Sequence, residues 1–288
     1  MIRRPTFLFF LLTLCLFAQQ IDWSKARTLT PGIKIMTFET TEPRLMKGSI
    51  ARIDLSLNKF DFTVTPRAPE QEWGKPMKDF PNLLVRTIRR KTRDFMMDER
   101  KKGKNMVLAV NSSPWTPWQS PWNHREACNL GLIVRNGVMV SPVKNDGSWC
   151  FVEYKDGKID LTLVKPDDDL SKIKNATAGF FCVMENGNVI TNPNHALAPR
   201  TGYGLSKDRK YLFLIVIDGR QQEYSRGATT DEVGSILKNA GADKALNMDG
   251  GGSTTMLTWE NGNIVKWNHH RNDAERTVGC NLGVVIKK

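Results

Sequence analysis

The sequence predicts an α+β fold, a mixed, largely antiparallel β-sheet core with flanking helices. Three observations carry this. Asn136-Gly137, Asp156-Gly157, Asn186-Gly187 and Asn261-Gly262 each sit between apolar runs, and such pairs supply the positive φ angles of tight hairpin turns. Tyr211–Ile217 is apolar apart from one ring hydroxyl, which suits a strand buried on both faces. Two segments have helical spacing, but they do not alternate with strands as a βαβ array would.

The elements follow in order. Residues 32–38 and 61–65 alternate as strands do. So do Ile53, Leu55 and Leu57 on one face against Asp54 and Ser56 on the other. A proline-containing loop spans 66–81. Residues 82–102 read as a helix with Leu84, Ile88, Lys91 and Phe95 in one stripe and Gly103 as the stop. Its Arg86, Arg89, Arg90, Arg93, Arg100 and Lys101 read as a solvated face. Strands are expected at 106–110, 130–134, 150–154, 159–164 and 178–184. A second helix covers 230–240, with Val233, Ile236, Leu237 and Ala240 as its apolar face. Thr229 and Glu232 form a capping box before it, and Gly241 ends it. Strands resume at 244–248, 255–259 and 281–286.

The chain has 288 residues, 40% hydrophobic and 25% charged, an ordinary globular composition with enough length for a large core. Its formal charge of +12 and pI near 9.5 favour anionic partners. Residues 1–18 read as a signal peptide: Arg3 and Arg4 precede an apolar run at 7–17, and Leu16-Phe17-Ala18 offers a cleavage site before Gln19. That run is shorter than the roughly 20 residues of a membrane-spanning helix, and no later segment could span. The expected product is exported, periplasmic or secreted. Export permits disulfides. Of Cys128, Cys150, Cys182 and Cys280, the first two lie nearer loops and form the better candidate pair. No CxxC pair suggests zinc.

The densest polar signal is Asp249-Gly250-Gly251-Gly252-Ser253-Thr254-Thr255, directly after an apolar run. Three glycines cost conformational entropy. They suit a tight turn, or a backbone whose bare amides approach an anionic ligand. Four more segments set a polar residue at the edge of apolar sequence: Val110-Asn111-Ser112-Ser113-Pro114-Trp115, Ala198-Pro199-Arg200-Thr201-Gly202, Ile217-Asp218-Gly219-Arg220 and Glu275-Arg276-Thr277-Val278-Gly279.

Taken together, these segments resemble the phosphodiester glycosidase family from about Val107 to Val285. The matching features are Arg200-Thr201-Gly202, Asp218-Gly219-Arg220, residues 227–232 and Asn247-Met248-Asp249-Gly250-Gly251-Gly252-Ser253, in family-like order and spacing. The implied layout is a β-rich region at 19–80 packed on a phosphodiester glycosidase-like domain at 81–288. Two segments depart from the pattern. Asn111-Ser112-Ser113-Pro114-Trp115 stands where the family has Asn-Gly-x-Phe-Phe, and Arg276-Thr277-Val278-Gly279-Cys280 where it favours Arg-Pro-Val-x-Asn. Both changes bear on substrate identity.

The resemblance implies hydrolysis of a sugar 1-phosphodiester or related glycan linkage. Phosphate leaves easily, so a carboxylate that attacks or activates water is the main requirement, with cations to hold the phosphate charge. Asp249 is the expected carboxylate and Asp218 a second one. Arg200 and Arg276 are the expected phosphate clamps, since guanidinium forks match phosphate oxygens. Asn111, Thr201, Gly250, Gly251, Gly252, Ser253 and Thr254 are the expected substrate-binding residues. Glu232 reads as a cap rather than a catalyst. No cofactor is expected, while a divalent cation stays open: His269 and His270 are adjacent, but none of the four histidines supplies a third ligand with telling spacing. The partner is a phosphorylated or anionic glycan, with no nucleic acid expected. The altered segments, with the basic surface, motivate an alternative: a glycan- or envelope-binding protein on the same scaffold without chemistry. Trp115, Trp118 and Trp122 could form a sugar-stacking platform or pack a loop. The sequons at Asn111 and Asn175 are short enough to arise by chance. A P-loop lysine and a nucleophile elbow are both missing.

Overall fold

A computed structural model of the chain describes residues 20–118, 124–193 and 195–287. The signal peptide expected at 1–18 and Trp122 lie outside the described residues. Among the described residues there are two α-helices, with strand at 43% and helix at 13%, so the fold is mainly β and the expected α+β class is overturned. The hairpins explain the strand content. Each of the four Asn-Gly or Asp-Gly pairs joins two antiparallel strands. At Asn136-Gly137, Asn186-Gly187 and Asn261-Gly262 both residues have positive φ, the backbone twist that two-residue hairpins need.

The expected helix at 82–102 shrinks to α1, Thr92–Lys101. Its first half is extended because the backbone is claimed elsewhere. Thr87 and Ile88 pair with Ala127 and Glu126, and Arg90 exchanges backbone hydrogen bonds with Val278. The basic face is not simply solvated: Arg86, Arg89 and Arg100 stack over Trp73, Trp115 and Trp259, while Arg93 pairs with Glu275 at 2.8 Å. The second helix, α2, spans Thr230–Ala240 with its capping box formed and Gly241 in the left-handed region. The alternation through Leu57 also fails. The strand ends at Asp54, whose carboxylate accepts from the amide and hydroxyl of Ser56 and starts a 3-10 turn.

Eight strands form the largest sheet, with Met46–Asp54, Tyr211–Ile217, Arg200–Leu205 and Lys244–Asn247 at its centre. A five-stranded sheet has Met106–Asn111 in its middle, flanked by Met256–Glu260 and Asn281–Ile286. Another five-stranded sheet is built on Ser148–Tyr154 and Ile173–Ala178, and a small three-stranded sheet completes the set. The 19–80 region contributes to both major sheets: Met46–Asp54 pairs with Tyr211–Ile217, and Phe60–Val64 with Asn281–Ile286.

Tyr211–Ile217 is buried on both faces, as its composition requires. Leu212, Leu214 and Val216 face the main core between the sheets, with Leu108, Val110, Leu282 and Phe151. Phe213, Ile215 and Ile217 face the opposite side, where Val233, Ile236 and Leu237 of α2 pack. At about 25 cal/mol per Å² of apolar surface, burial on both faces makes truncation of this strand's side chains costly. The strand Arg200–Leu205 was not foreseen. Its Gly202 leaves room for α2: a Cβ there would lie 2.6 Å from Val233 Cγ1. Among the described residues, Cys128, Cys150, Cys182 and Cys280 are free thiols, so the expected Cys128–Cys150 bridge is not formed. Among the described residues, no helix is long and apolar enough to cross a membrane.

Candidate active site

Sheet register gathers Arg200, Asp218 and Asp249 at one end of the large sheet. Arg200 sits opposite Ile217, the residue before Asp218, and Gly202 opposite Asn247, two before Asp249. The Asp249 amide donates to the carbonyl of Ser112 at 2.9 Å, tying this end of the large sheet to the neighbouring one. Beyond these strand ends lies a cavity of about 400 Å³ lined by Asp218, Arg220, Gly251, Gly252, Thr254 and Arg276, among others.

The three glycines are explained by what lies against each. A Cβ on Gly250 would stand 2.8 Å from the carbonyl oxygen of Pro199. Gly251 has φ +60° and carries the Arg220 guanidinium, whose Nη1 lies 3.2 Å from where a Cβ would be. Gly252 carries the Arg276 guanidinium, with Nη2 only 2.6 Å from that position. The turn therefore seats two arginines at the cavity wall. Its amides are partly engaged, since Gly251 donates to Pro199 at 2.8 Å.

Two carboxyls lie at this end. Asp218 lines the cavity, and its Oδ1 accepts from the His269 amide at 2.8 Å. Burial pushes its pKa up to about 6, against the His269 amide, the Tyr224 hydroxyl and the nearby Lys266 and Lys47. Asp249 is 5% exposed and is not in the cavity wall. Burial raises its pKa to about 7, although Ser253, the Arg276 guanidinium, the Gly250 amide and the Trp115 indole pull the other way. Its Oδ2 has no hydrogen-bond partner. A buried acceptor left open is costly, and pKa values displaced toward neutrality cluster where proton transfer is used.

Several expected site residues serve the scaffold instead. Asn111 is fully buried: its Nδ2 donates to the Asp249 carbonyl at 2.7 Å, and its Oδ1 accepts from the Thr201 hydroxyl at 2.7 Å and the Thr255 amide at 3.0 Å. Asn111 and Thr201 thus bond each other and the backbone around Asp249 and Thr255. Arg200 directs Nε to the Ala228 carbonyl at 3.0 Å and Nη2 to the Ala196 carbonyl at 2.7 Å, outside the cavity lining. Burial, then Arg220, lowers its pKa. Arg200 holds a loop, and the cation paired with Arg276 at the wall is Arg220. The sequence marked Arg220 only as the end of Asp218-Gly219-Arg220. Its φ of +60°, unusual for a side chain with a Cβ, was not legible there. Ser253 lies beside Asp249, and Thr254 lines the cavity with an unpartnered Oγ1. Glu232 is a cap and also pairs with Arg44.

Of the three tryptophans, Trp115 is fully buried and Trp118 is 48% exposed against Phe180. His269 is exposed and held by Gln221, while His270 Nε2 lies 3.0 Å from the Thr255 hydroxyl. Among the described residues, no group of three His, Cys, Asp or Glu side chains could hold a metal ion. The two segments that depart from the family pattern meet each other. Ser112 and Ser113 both bond the Thr177 hydroxyl, at 2.6 and 2.5 Å, and Cys280 Sγ lies 3.7 Å from the same atom. All four residues are buried. Asn111 and Asn175, the two sequon residues, are fully buried too.

The sequence model of the phosphodiester glycosidase family matches residues 104–285, well over half of the chain. The chain belongs to this family. Membership makes it a relative of hydrolases that act on glycosyl phosphodiesters. Among solved structures, it is similar to the catalytic domain of zebrafish N-acetylglucosamine-1-phosphodiester alpha-N-acetylglucosaminidase, auto-inhibited by its pro-peptide. The identity is 18% and the TM-score 0.64, over 94% of this chain and 87% of that one. A hypothetical protein from Synechocystis is similar with 13% identity and a TM-score of 0.57, over 90% of this chain and 63% of that one. These identities carry the fold alone. No curated protein matches the chain.

Proposed function

We propose that this phosphodiester glycosidase hydrolyses the bond between a sugar C1 and a phosphodiester oxygen in an anionic glycan outside the cytoplasm. The observation that carries the reading is the convergence of two buried carboxyls, Asp218 and Asp249, with the glycine-seated Arg220 and Arg276 at one cavity end. Arg220 and Arg276 hold the phosphate and stabilise the charge that grows on it as the C1–O bond breaks. The leaving group is a phosphate monoester, stable without protonation by the enzyme. The carboxylates therefore act in their ionised forms. One takes the proton of water as its oxygen attacks C1, or itself attacks C1 before water displaces it. The products are the free sugar and the phosphate monoester. The zebrafish relative's name places N-acetylglucosamine 1-phosphodiesters first among substrates to try.

The binding-only alternative drew on the basic surface and on the altered residues near Asn111 and Cys280. Their side chains are buried around Thr177, so they give that alternative no support. The test is turnover of a panel of sugar 1-phosphodiesters by purified mature protein beside Asp249→Asn and Asp218→Asn. Release of free sugar by the wild type, lost in the variants, is the expected result. Silence of the wild type on every member would overturn the glycosidase reading in favour of binding. Export is checked separately by fractionation of expressing cells.

A further inference from the structure

A second, larger groove of about 840 Å³ opens beside the candidate active site and shares Asp218, Asn268 and His269 with it. The cavity-lining carboxylate therefore stands at the junction of two open spaces. The far walls come from the chain's beginning: Arg27, Phe38 and Lys47 line the groove, and all three precede the family-matched span of 104–285. Tyr224 and Trp267 line it as well.

The walls hold their cations on aromatic rings. The Arg27 guanidinium lies 4.9 Å from the Trp267 ring centroid, and Lys47 Nζ lies 4.7 Å from that of Tyr224. Each also has a carboxylate neighbour: Arg27 bonds both oxygens of Glu260, and Lys47 lies 3.1 Å from Glu39. Ring contact and pairing fix long side chains that would otherwise lose rotamer freedom on binding. The lining thus alternates donors, acceptors and ring surface. Sugars need that mixture, with hydroxyls to pair and C–H faces to cover. Each wall cation has a carboxylate partner, Arg27 with Glu260, Lys47 with Glu39 and Lys266 with Asp273, so the attraction for a partner with repeated negative charge comes from the +12 of the whole chain.

We propose that this groove binds the part of the glycan beyond the scissile linkage, so that the substrate is a chain of sugars joined through repeated phosphodiesters rather than a single sugar phosphodiester. This rests on the glycosidase reading above. It assigns substrate length to Arg27 and Phe38, and bond cleavage to the neighbouring cavity.

The test compares two probes, a methyl-capped single sugar 1-phosphodiester and a short synthetic oligomer of the same repeat. The variants are Arg27→Ala and Phe38→Ala, each checked for an unchanged melting curve. On the oligomer kcat/KM is expected to fall about tenfold, chiefly through KM, while the single-sugar probe stays within about twofold of wild type. Equal loss on both probes, or loss on neither, overturns the groove. Calorimetric titration of the oligomer into Asp249→Asn, with and without Arg27→Ala, reads the groove without turnover. About tenfold weaker binding is expected, and unchanged affinity overturns the proposal. If the wild type cleaves neither probe yet oligomer affinity depends on Arg27, the glycosidase reading fails and the groove stands. If it cleaves both with no dependence on Arg27 or Phe38, the groove fails alone.

Discussion

Asn111 and Asp218 occupy equivalent places in the sequence, each a polar residue at the end of a buried apolar strand. The structure treats them oppositely. Asn111 is still inside its ladder, opposite Asn281, with both amide atoms engaged by neighbouring strands. Asp218 is one residue past the last pairing of its strand, opposite neither Gly48 nor Arg200, and reaches the cavity. A strand-end polar residue is free to face the cavity where the ladder has stopped. Inside it, the same residue type becomes a clamp between sheets.

The sharpest test of this division falls on the carboxylates. Asp249→Asn and Asp218→Asn are each expected to lower kcat by about a thousandfold while leaving the circular dichroism spectrum unchanged. The pH dependence sharpens the point. Both groups have pKa values raised by burial, to about 7 and about 6, and both are assigned as ionised. Activity should rise between about pH 5 and 8 as the two groups ionise, and these carboxyls should produce no falling limb. Stability has the opposite sign. A carboxyl with a raised folded pKa contributes stability that is full below the unfolded value, and that contribution is lost as pH rises through the folded one. Asp249→Asn should therefore raise Tm at pH 8, by about 2 kcal/mol equivalent, and change it little near pH 4. A bell whose acidic limb is insensitive to both substitutions would falsify the carboxylate assignment.

The same contrast separates two arginines. Arg220→Ala should lower kcat/KM by about a hundredfold, with Lys recovering only part because it is no planar fork, and Tm should hold. Arg200→Ala should lower Tm, since it leaves the Ala196 and Ala228 carbonyls without their guanidinium, with a smaller effect on KM. Reversal of these two patterns would return the phosphate to Arg200.

Much of the scaffold was legible because it is local. Asn136-Gly137 and its counterparts specify hairpins by backbone sterics, and Thr229 with Glu232 specifies a helix start through hydrogen bonds within one turn. Tyr211–Ile217 announces its double burial by composition. The failures are non-local. Residues 82–91 have helical spacing, yet Thr87 and Arg90 find partners at Ala127 and Val278. Arg200–Leu205 looks like a glycine-rich loop until α2 is known to pack on Gly202. At the site, Asp249, Asp218 and Arg276 could be nominated from residue type and context. The exchange of Arg200 for Arg220 could not, because it depends on which guanidinium the Pro199–Arg200 and Gly251 backbones leave facing the cavity.

Asn111→Ala tests the clamp itself. It leaves the Asp249 carbonyl, the Thr201 hydroxyl and the Thr255 amide without their partner in a buried place, so a loss of about 2–4 kcal/mol is expected in chemical denaturation. Turnover per folded molecule should survive, or fall only as far as Asp249 shifts. A stable variant with impaired substrate affinity would instead restore Asn111 to the binding site.

The smallest expected effect discriminates most finely, because it separates fold from function within one turn. A Cβ on Gly252 would meet only the far end of Arg276, at 2.6 Å from Nη2, and that flexible side chain can swing away. A Cβ on Gly250 would meet the Pro199 carbonyl at 2.8 Å, where backbone must move. Gly252→Ala should therefore melt close to wild type yet lose about tenfold in kcat/KM, since a guanidinium displaced by an ångström or so no longer matches the phosphate. Gly250→Ala should lose stability first, by about 1–3 kcal/mol. If Gly252→Ala keeps full activity, Arg276 is not held where the reaction needs it, and the third glycine has another reason to be there.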